Sequence, residues 1–598
     1  MRWLAKSADP SQIDSLGAAL RGKSSVVARL LVMRGITDPG EAERFLAPSL
    51  SHLHSPYVMS GMKAAVDRLE AAIERKESIL IYGDYDVDGT TAIVILKTAI
   101  ELCGGSADFH VPHRIREGYG MRDEVIEHAA ADGVRLIISV DTGIRAFAAG
   151  DTAERLGIDL IVTDHHLPGQ EGVPKALAVL NPNQPGCEYP CKALCGAGVA
   201  FKVAQALMER RLPQNDHARM LHSFMKVVAI ATIADAVPLT GENRVFAKLG
   251  LDGLRSPKNL GLRSLLEVAQ LSVSRPLTSG EIAFRIAPRL NAAGRMDVAR
   301  DVVELFSVKD PDRARELANR LDQLNAERQE EERRILDSIT ARVEEEPALR
   351  EAYCVVIDGD GWHRGVIGIT ATRVVERYGR PALIISRDGE EAHGSGRSIS
   401  GFHLLDALES CAPMFSRYGG HAHAVGFALP SANVAGLRSH LDLYARERLT
   451  LADFEPSLHY DAELGLDQVT PEFFQALSAL EPFGMGNPEP VFVAHGVRLL
   501  APPKMIKDKH VKLRVAAASN NGQEGASGWR KAISFDALGW HLGERAQASQ
   551  LLPGDHLAIA FSLDHNDHPE YGGLELSLRD FQVPQTAEAA GAGQAGKS

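Results

Sequence analysis

The stretch Ser78-Ile79-Leu80-Ile81-Tyr82-Gly83-Asp84-Tyr85-Asp86-Val87-Asp88-Gly89-Thr90-Thr91-Ala92 decides how the chain is read. A short apolar run bounded by a polar turn reads as a buried strand. Three aspartates follow at alternate positions, then a glycine, then a helix-like run from Thr91 to Glu101. Carboxylates gathered in one turn repel each other unless something neutralises them. A divalent cation held by oxygen ligands is the economical neutraliser. A calcium loop of the D-x-D-x-D-G type needs a bidentate Glu at its twelfth position, here Ile95, and a helix before it, where a strand is read. A solvated acidic turn is the bland alternative, and the rest of the chain has to decide against it.

Outward from this stretch, strands are expected to end near Tyr82, Val111, Val140, Val162 and Leu180, with helices between them at Arg122 to Ala131 and Ala146 to Leu156. Strands alternating with helices indicate a parallel α/β sheet. Three of those strand ends deliver polar groups. Asp84, Asp86 and Asp88 follow the first; Asp141-Thr142-Gly143 follows Leu136 to Val140; Asp164-His165-His166 follows Asp159 to Thr163. Open parallel sheets bind ligands at the carboxyl edge of their strands. Asp141 alone reads equally as a helix cap; the set reads as a metal centre. A helical segment, Ala197 to Ala234, ends at Asp235, a carboxylate in an apolar run that a cation, an Arg or a cap would have to satisfy.

Further along, Arg285, Arg289, Asn291 and Arg295 cluster where Pro288 and Gly294 argue against a regular helix, and guanidinium forks suit phosphate. Pro311 to Glu346 reads as one long helix. Its apolar stripe (Leu317, Leu321, Leu324, Ile335, Ile339, Val343) is interrupted by the polar centre Glu327 to Arg334. That break favours a bridge between two domains over a coiled-coil dimer. A second α/β unit starts at Tyr353. It carries His393-Gly394-Ser395-Gly396-Arg397-Ser398, read as a small-residue segment whose backbone N–H groups and Arg397 fork approach an anion, and Tyr418 to Phe427, read as a Gly-rich turn. His421 and His423 have no matched acid nearby. The last unit, 455–584, reads as short strands forming a small oligonucleotide-binding barrel. Lys504, Lys507, Lys509, Lys512 and Arg514 stand there against the single acid Asp508 and suit a phosphate backbone track; a solvated charged hairpin is the alternative.

The totals fit this picture. A chain of 598 residues allows three or four domains, and 45% hydrophobic with 24% charged residues is ordinary globular composition. The net charge of −13 argues against coating by nucleic acid but allows a local basic groove. No run is long and apolar enough for a membrane span, and Met1 to Lys6 lacks an apolar signal core, so the expected location is the cytoplasm, without membrane contact. Six cysteines make no disulfide framework; Cys187, Cys191 and Cys195 are spaced too widely for a zinc knuckle and read as plain thiols rather than a structural zinc site.

Asp84-Tyr85-Asp86-Val87-Asp88-Gly89, Val140-Asp141-Thr142-Gly143, Asp164-His165-His166 and Ala234-Asp235, in that order, resemble the DHH phosphoesterase superfamily. Gly394 to Ser398 and Gly419-Gly420-His421 resemble its companion DHHA1 domain. The expected architecture is a parallel-sheet DHH domain, a long bridging helix, a second α/β DHHA1 domain and a C-terminal OB-like β-barrel. The boundaries are a helical lead-in over 1–60, the DHH domain over 61–300, the bridge over 301–349, DHHA1 over 350–450, the barrel over 455–584 and a disordered tail over 585–598. Within the superfamily, length and domain order resemble the bacterial exonucleases specific for single-stranded DNA. That resemblance implies a 5′-to-3′ exonuclease releasing mononucleotides in DNA repair and recombination. It implies two divalent cations, Mn²⁺ or Mg²⁺, on Asp86, Asp88, Asp141, His165 and Asp235, with Asp84 close by, Asp141 bridging and His166 facing the scissile phosphate. It further implies that Arg114, Ser395 and Arg397 hold the 5′ phosphate with Arg289 on the strand, and that a monomer works with a single-strand-binding protein and a helicase. Two rivals stand beside it: a DHH enzyme for small substrates (short RNA, cyclic dinucleotide, pyrophosphate), and a non-catalytic scaffold that binds single-stranded DNA.

Overall fold

The computed structural model describes residues 1–598 apart from 21–23, 119, 273–274, 298, 518–532, 567–571 and 584–598. The tail expected over 585–598 lies outside the described residues. The chain divides into two compact units: residues 48–456 with 482–486, and residues 1–47 with 457–481 and 487–598.

The larger unit contains two sheets. Five strands make the first: β1 Ile79–Tyr82, β2 Ala107–His110, β3 Leu136–Val140, β4 Asp159–Thr163 and β5 Ala178–Leu180. All run parallel in the order β2-β1-β3-β4-β5. The near-continuous apolar runs of β1, β3 and β4 fit burial on both faces, and β3 is buried at every position; β2, at the edge, is more polar and more exposed. The order reverses between β1 and β3, the switch point at which such sheets open a crevice beyond the strand ends. Asp84 follows β1 and Asp141 follows β3, so both stand at that crevice.

Helix α1 runs from Val87 to Leu102, earlier than the pattern suggests. Asp86 is its N-cap, accepting a hydrogen bond from Gly89 N at 3.1 Å, and Asp88 lies in its first turn. The acidic stretch is therefore a strand-to-helix junction. Asp84 and Asp88 are 5% and 3% exposed, which excludes a solvated turn. Helices α2 (Gly196–Arg211) and α3 (Gln214–Ala234) follow, Asp235 being the C-cap of α3. The segment around Arg289 is more helical than expected: a π-turn, Ile282–Ile286, leads into α4, Ala287–Met296. Pro288 is accommodated in the first turn of α4, and Gly294 packs on the acidic junction, where a Cβ would stand 2.2 Å from the Tyr85 carbonyl oxygen.

Helix α5, Pro311–Glu345, is the expected bridge, about 50 Å long at 1.5 Å per residue. Leu317, Leu321 and Leu324 are buried in the core of the first sheet domain, whereas Ile335, Ile339 and Val343 join the core under the second sheet. That second sheet comprises β6 Val355–Asp360, β7 Ala382–Asp388, β8 Glu391–Arg397, β9 Arg417–His421 and β10 Ala424–Pro430 in the order β9-β10-β8-β7-β6, with helix α6 (Ile367–Tyr378) packed on it. Only β6 and β7 are parallel. The segment read as a small-residue anion loop is thus a central strand, β8, and its backbone is paired on both sides. The Gly-rich turn is the β9–β10 hairpin.

In the smaller unit, strands 492–499, 556–566, 573–582, 534–539 and 510–516 pair in that order, and 492–499 pairs again with 510–516. That second pairing closes a five-stranded barrel of the oligonucleotide-binding kind. The lead-in expected over residues 1–60 is split. Arg2–Ala5 forms a strand parallel to Ser457–Tyr460, and residues 1–47 belong with the barrel; the remainder belongs with the first sheet domain. A charged, partly exposed strand such as Arg-Trp-Leu-Ala gives no local sign of so distant a partner. Among the described residues no helix is long and apolar enough to cross a membrane.

Candidate active site

The acids collect at the carboxyl edge of the first sheet. Asp84, Asp86 and Asp141 present ligand atoms within 4.8 Å of one another; so do Asp88, His165 and Asp235; so do Asp141, His165 and His166. Asp141 and His165 therefore join groups that the sequence brings from widely separated segments. His165 Nε2 lies 3.2 Å from Asp141 Oδ1, 3.7 Å from Asp88 Oδ2 and 3.8 Å from Asp235 Oδ2.

Each side chain is aimed by local structure. Asp141 adopts φ +59°, a left-handed conformation rare outside glycine, immediately after β3. Strain of this kind persists only where the surroundings impose it. Here Asp141 N donates to the Thr163 carbonyl at 3.0 Å, and Ser139 Oγ donates to the Thr142 carbonyl at 2.8 Å. Asp88 accepts from the first two N–H groups of α2, Gly196 N at 2.5 Å and Ala197 N at 2.8 Å. A helix start offers unpaired N–H groups and a partial positive charge to such a carboxylate. Asn291 in α4 accepts from Val87 N at 3.1 Å, and Asn181 and Asn183 donate to the His166 and His165 carbonyls at 2.8 Å each. Gly196, Asn181, Asn183 and the role of Asn291 at Val87 escaped the sequence reading; only the glycine of Cys195-Gly196-Ala197-Gly198 at a helix start offered a signal.

Asp164 plays a different part from its neighbours. It is 1% exposed. One carboxylate oxygen accepts from His165 N, His166 N and His166 Nδ1; the other accepts from Ile144 N. These donors hold its carboxyl below the usual range despite burial. The hydrogen bond fixes the His166 ring and leaves Nε2 as its outward nitrogen. Burial would lower the His166 pKa, but the Asp164 hydrogen bond and charge, with Asp235 and Asp88 behind them, push it up to about 9.

The remaining acids are strained electrostatically. Burial, then Asp86, pushes Asp84 up to about 8; burial, then Asp88, pushes Asp235 up to about 9; burial followed by the neighbouring aspartates pushes Asp141 well above the carboxylate range. Among the described residues, Asp84 Oδ1, Asp141 Oδ1 and Asp235 Oδ2 are buried with no hydrogen-bond partner. Orphaned carboxylate oxygens in a dry site are costly unless a cation takes them. Hard oxygen donors with one or two imidazoles suit Mn²⁺ or Mg²⁺. The cysteines are not among these ligand groups, although the Cys195 thiol hydrogen-bonds Asp88. Burial holds Cys191 near 11 and Cys195 well above its ordinary value, and among the described residues no metal-holding group includes either.

A cavity of roughly 440 Å³ opens beside this cluster. Strand alternation puts His393, Ser395 and Arg397 of β8 on its wall, joined by Arg114, Arg295, Arg364 and Arg417. Arg114 stacks 4.8 Å above the Tyr85 ring, and Arg397 donates to Ser395 Oγ at 3.3 Å. Burial and Arg114 lower the Arg397 pKa, and burial with the same neighbour brings Arg295 down to about 10. Crowded guanidiniums of this kind favour a bound anion. Arg364 and Arg417 were not singled out in the sequence, because the segment between β6 and α6 and the start of β9 come to one cavity wall only in the folded domain.

Two expected contacts are otherwise engaged. Arg289 is absent from the cavity wall: its guanidinium pairs with Asp322 of α5 at 2.8 Å and donates to the Arg285 carbonyl. Lys512 pairs with Asp536 at 2.9 Å and Glu575 at 3.6 Å, and Arg514 also pairs with Asp536. Those acids come from neighbouring strands, so the run of lysines could not reveal them. Lys504, Lys507 and Lys509 lie at the hairpin joining strands 504–506 and 510–516.

A parallel sheet with acids at its switch point, an Asp-His-His segment and an arginine-lined companion sheet define a DHH phosphoesterase. Sequence profiles agree: the DHH family, N-terminal domain, matches residues 78–232; the DHHA1 domain matches 351–447; the RecJ OB domain matches 460–580. The single-stranded-DNA-specific exonuclease RecJ of Bacillus subtilis is 36% identical over 588 residues, covering 98% of this chain and 71% of that protein. Its counterpart in Escherichia coli is 35% identical over 82% of this chain and 86% of its own. The crystal structure of RecJ in complex with Mn²⁺ from Thermus thermophilus superposes with a TM-score of 0.79 at 28% identity, over 98% of this chain and 80% of that one. The chain belongs to the RecJ family.

Proposed function

We propose that the protein is a metal-dependent exonuclease that degrades single-stranded DNA from its 5′ end, hydrolysing phosphodiester bonds to release 5′-mononucleotides. The observation that carries this reading is the adjacency of the carboxylate cluster to an arginine-lined cavity, joined through Arg114 over the Tyr85 ring. The curated relatives bear the name of single-strand-specific exonucleases, and the superposed Thermus enzyme was solved with Mn²⁺.

Asp84, Asp86 and Asp141 would hold one divalent cation, and Asp88, His165 and Asp235 a second, with Asp141 serving both. When bound, such cations acidify water and offset charge on the phosphate oxygens. The protein's own groups do the rest. Asp164 fixes the His166 ring and raises its pKa, so that an Nε2–H would donate to a phosphate oxygen. Arg114, Ser395 and Arg397 anchor the terminal 5′ phosphate, which sets the position of the bond that is cut. Lys504, Lys507 and Lys509 offer charge to the phosphate backbone on the barrel. The monomeric state and partnership with a single-strand-binding protein and a helicase are carried by family membership, and the cytoplasmic setting by that membership together with the sequence reading.

The small-substrate reading has no use for the barrel, and the scaffold reading has no use for the orphaned carboxylates. Digestion of end-labelled single and double strands with Mn²⁺ separates the three. The proposal expects stepwise loss from a 5′-phosphorylated single strand, little attack on a blocked 5′ end, and no turnover by D141A. Equal digestion from both ends, or undiminished turnover by D141A, would contradict it.

A further inference from the structure

Phe284 is 79% exposed, more than any other large apolar side chain among the described residues. Its presentation is built into the backbone. An α-helix would direct the N–H of residue 288 to the Phe284 carbonyl, but Pro288 has none. The chain takes a π-turn instead, with Ala287 N donating to the Ile282 carbonyl. Widening the turn leaves the aromatic ring outside the packed face that Ile282 and Ile286, both buried, turn inward.

The ring lines a groove of roughly 520 Å³ that runs beside the bridging helix α5. Two features connect that groove to the catalytic cluster. Ala234, next to Asp235, forms part of its wall, and so does Asn291, whose side chain holds Val87 N between Asp86 and Asp88. Arg295 lines both this groove and the phosphate cavity, so the two meet at one guanidinium. The wall carries four arginines (Arg295, Arg328, Arg333 and Arg373) against one carboxylate, Glu332. Arg328 and Arg373 share that carboxylate, at 2.6 and 3.0 Å; outside the groove Arg373 also pairs with Glu376 at 2.9 Å, and Arg333 with Glu330 and Asp337 at 2.6 and 3.4 Å. Arg295, which donates to the Gly365 carbonyl, supplies the positive charge that these acids do not offset, and the floor is apolar.

We infer that this groove is a subsite for the nucleotides on the 3′ side of the bond that is cut, with Phe284 as a platform on which a base stacks. This rests on the nuclease reading above. With the 5′ phosphate in the Arg114–Arg397 cavity and the reacting phosphate at the carboxylates, the strand leaves past Ala234 into the groove. A protruding aromatic ring among arginines suits unpaired bases, whose faces are free; paired bases in a duplex do not offer theirs. The platform therefore also contributes to strand selectivity.

The test places 2-aminopurine at successive positions from the 5′ end of a phosphorylated 12-mer and binds it to the intact protein in EDTA, so that no cleavage intervenes. Stacking on Phe284 is expected to quench one position within the first four nucleotides. F284A and F284L should abolish that quench and weaken 12-mer binding by about tenfold or more, in keeping with the usual worth of one stacked base. F284W should restore both. An unchanged melting temperature shows that the exposed substitution has left the fold intact. Wild-type quench and affinity in F284A would overturn the subsite while leaving the nuclease reading standing. If the wild-type chain neither binds nor degrades single strands, both fall together.

Discussion

Gly196 stands directly against Asp141: a Cβ on this glycine would lie 2.5 Å from both the Cβ and the Oδ1 of that aspartate. The same residue gives its N–H to Asp88. One backbone position thus spaces two carboxylates that are 53 residues apart in sequence, 141 against 88. The substitution G196A is expected to displace Asp141 and loosen Asp88 together. Disturbing groups that orient metal ligands commonly costs about 10–100-fold in affinity, so Mn²⁺ binding followed by electron paramagnetic resonance should weaken by that range. G198A is the control, since a Cβ there meets its neighbours at 3.5 Å or more. Wild-type Mn²⁺ affinity in G196A would refute the spacing role.

Asp164 is expected to govern His166 without binding a cation itself, because all its donors are protein N–H groups. D164N removes the charge that raises the His166 pKa above its ordinary value. In the metal-free protein the His166 resonance, followed by NMR across pH, should titrate well below its wild-type midpoint. Turnover should fall by about 10²–10⁴-fold, the usual worth of a positioned proton donor. Unaltered titration with normal turnover would remove Asp164 from the mechanism.

Removal of cations has a pH signature whose sign follows from the buried acids. Asp84 and Asp235 titrate near 8 and 9 when folded, against about 3.9 in an unfolded chain. Between those values the metal-free folded state holds protons that the unfolded state has released. Stability is therefore fully present below about pH 4 from these groups and declines as pH rises through 8 to 9. His166, also raised, acts in the same direction. Calorimetry in EDTA should show a melting temperature that falls from about pH 6 to pH 9, and Mn²⁺ should restore more at the alkaline end than at the acid end. A metal-free melting temperature that climbs across this interval would contradict the electrostatic account.

What the sequence reveals follows how local each determinant is. The strands ending near Tyr82, Val140, Thr163 and Leu180 are legible because each is a short, largely apolar run closed by polar residues; Ala107–His110, at the sheet edge, alternates apolar with polar. Asp84, Asp141 and Asp164 are legible because each follows a strand at the same edge, whereas Asp235 ends a helix, α3. Helix α1 begins early because Asp86 caps it, a contact with Gly89 that the Asp-rich spelling disguised as a loop. Segment 391–397 is rich in glycine yet forms a central strand, because flanking strands accept it on both sides. Arg289 and Lys512 carry the residue types of phosphate contacts, but Asp322 and Asp536 reach them from elsewhere in the chain. Pairings across such separations leave no periodicity to read.

The attachment of residues 1–47 to the barrel gives a last prediction. Asp580, in the final barrel strand, is fully buried and accepts from Trp3 Nε1 at 2.8 Å and from Arg545. Lys6 pairs with Asp461 at 2.9 Å, beside the strand that Arg2–Ala5 joins. D580A would leave the Trp3 indole N–H without its acceptor and the Arg545 guanidinium with the Phe581 carbonyl alone, at a cost of about 3 kcal/mol. Denaturant unfolding of the full chain, followed by tryptophan fluorescence, should show the transition reported by Trp3 moving to lower denaturant. Catalysis on a dinucleotide, which depends on the other unit, should be retained under native conditions. K6A, whose lysine is partly open to solvent, should cost less than about 1 kcal/mol. If D580A were no more destabilising than K6A, the N-terminal strand would be an ornament on the barrel rather than part of its structure.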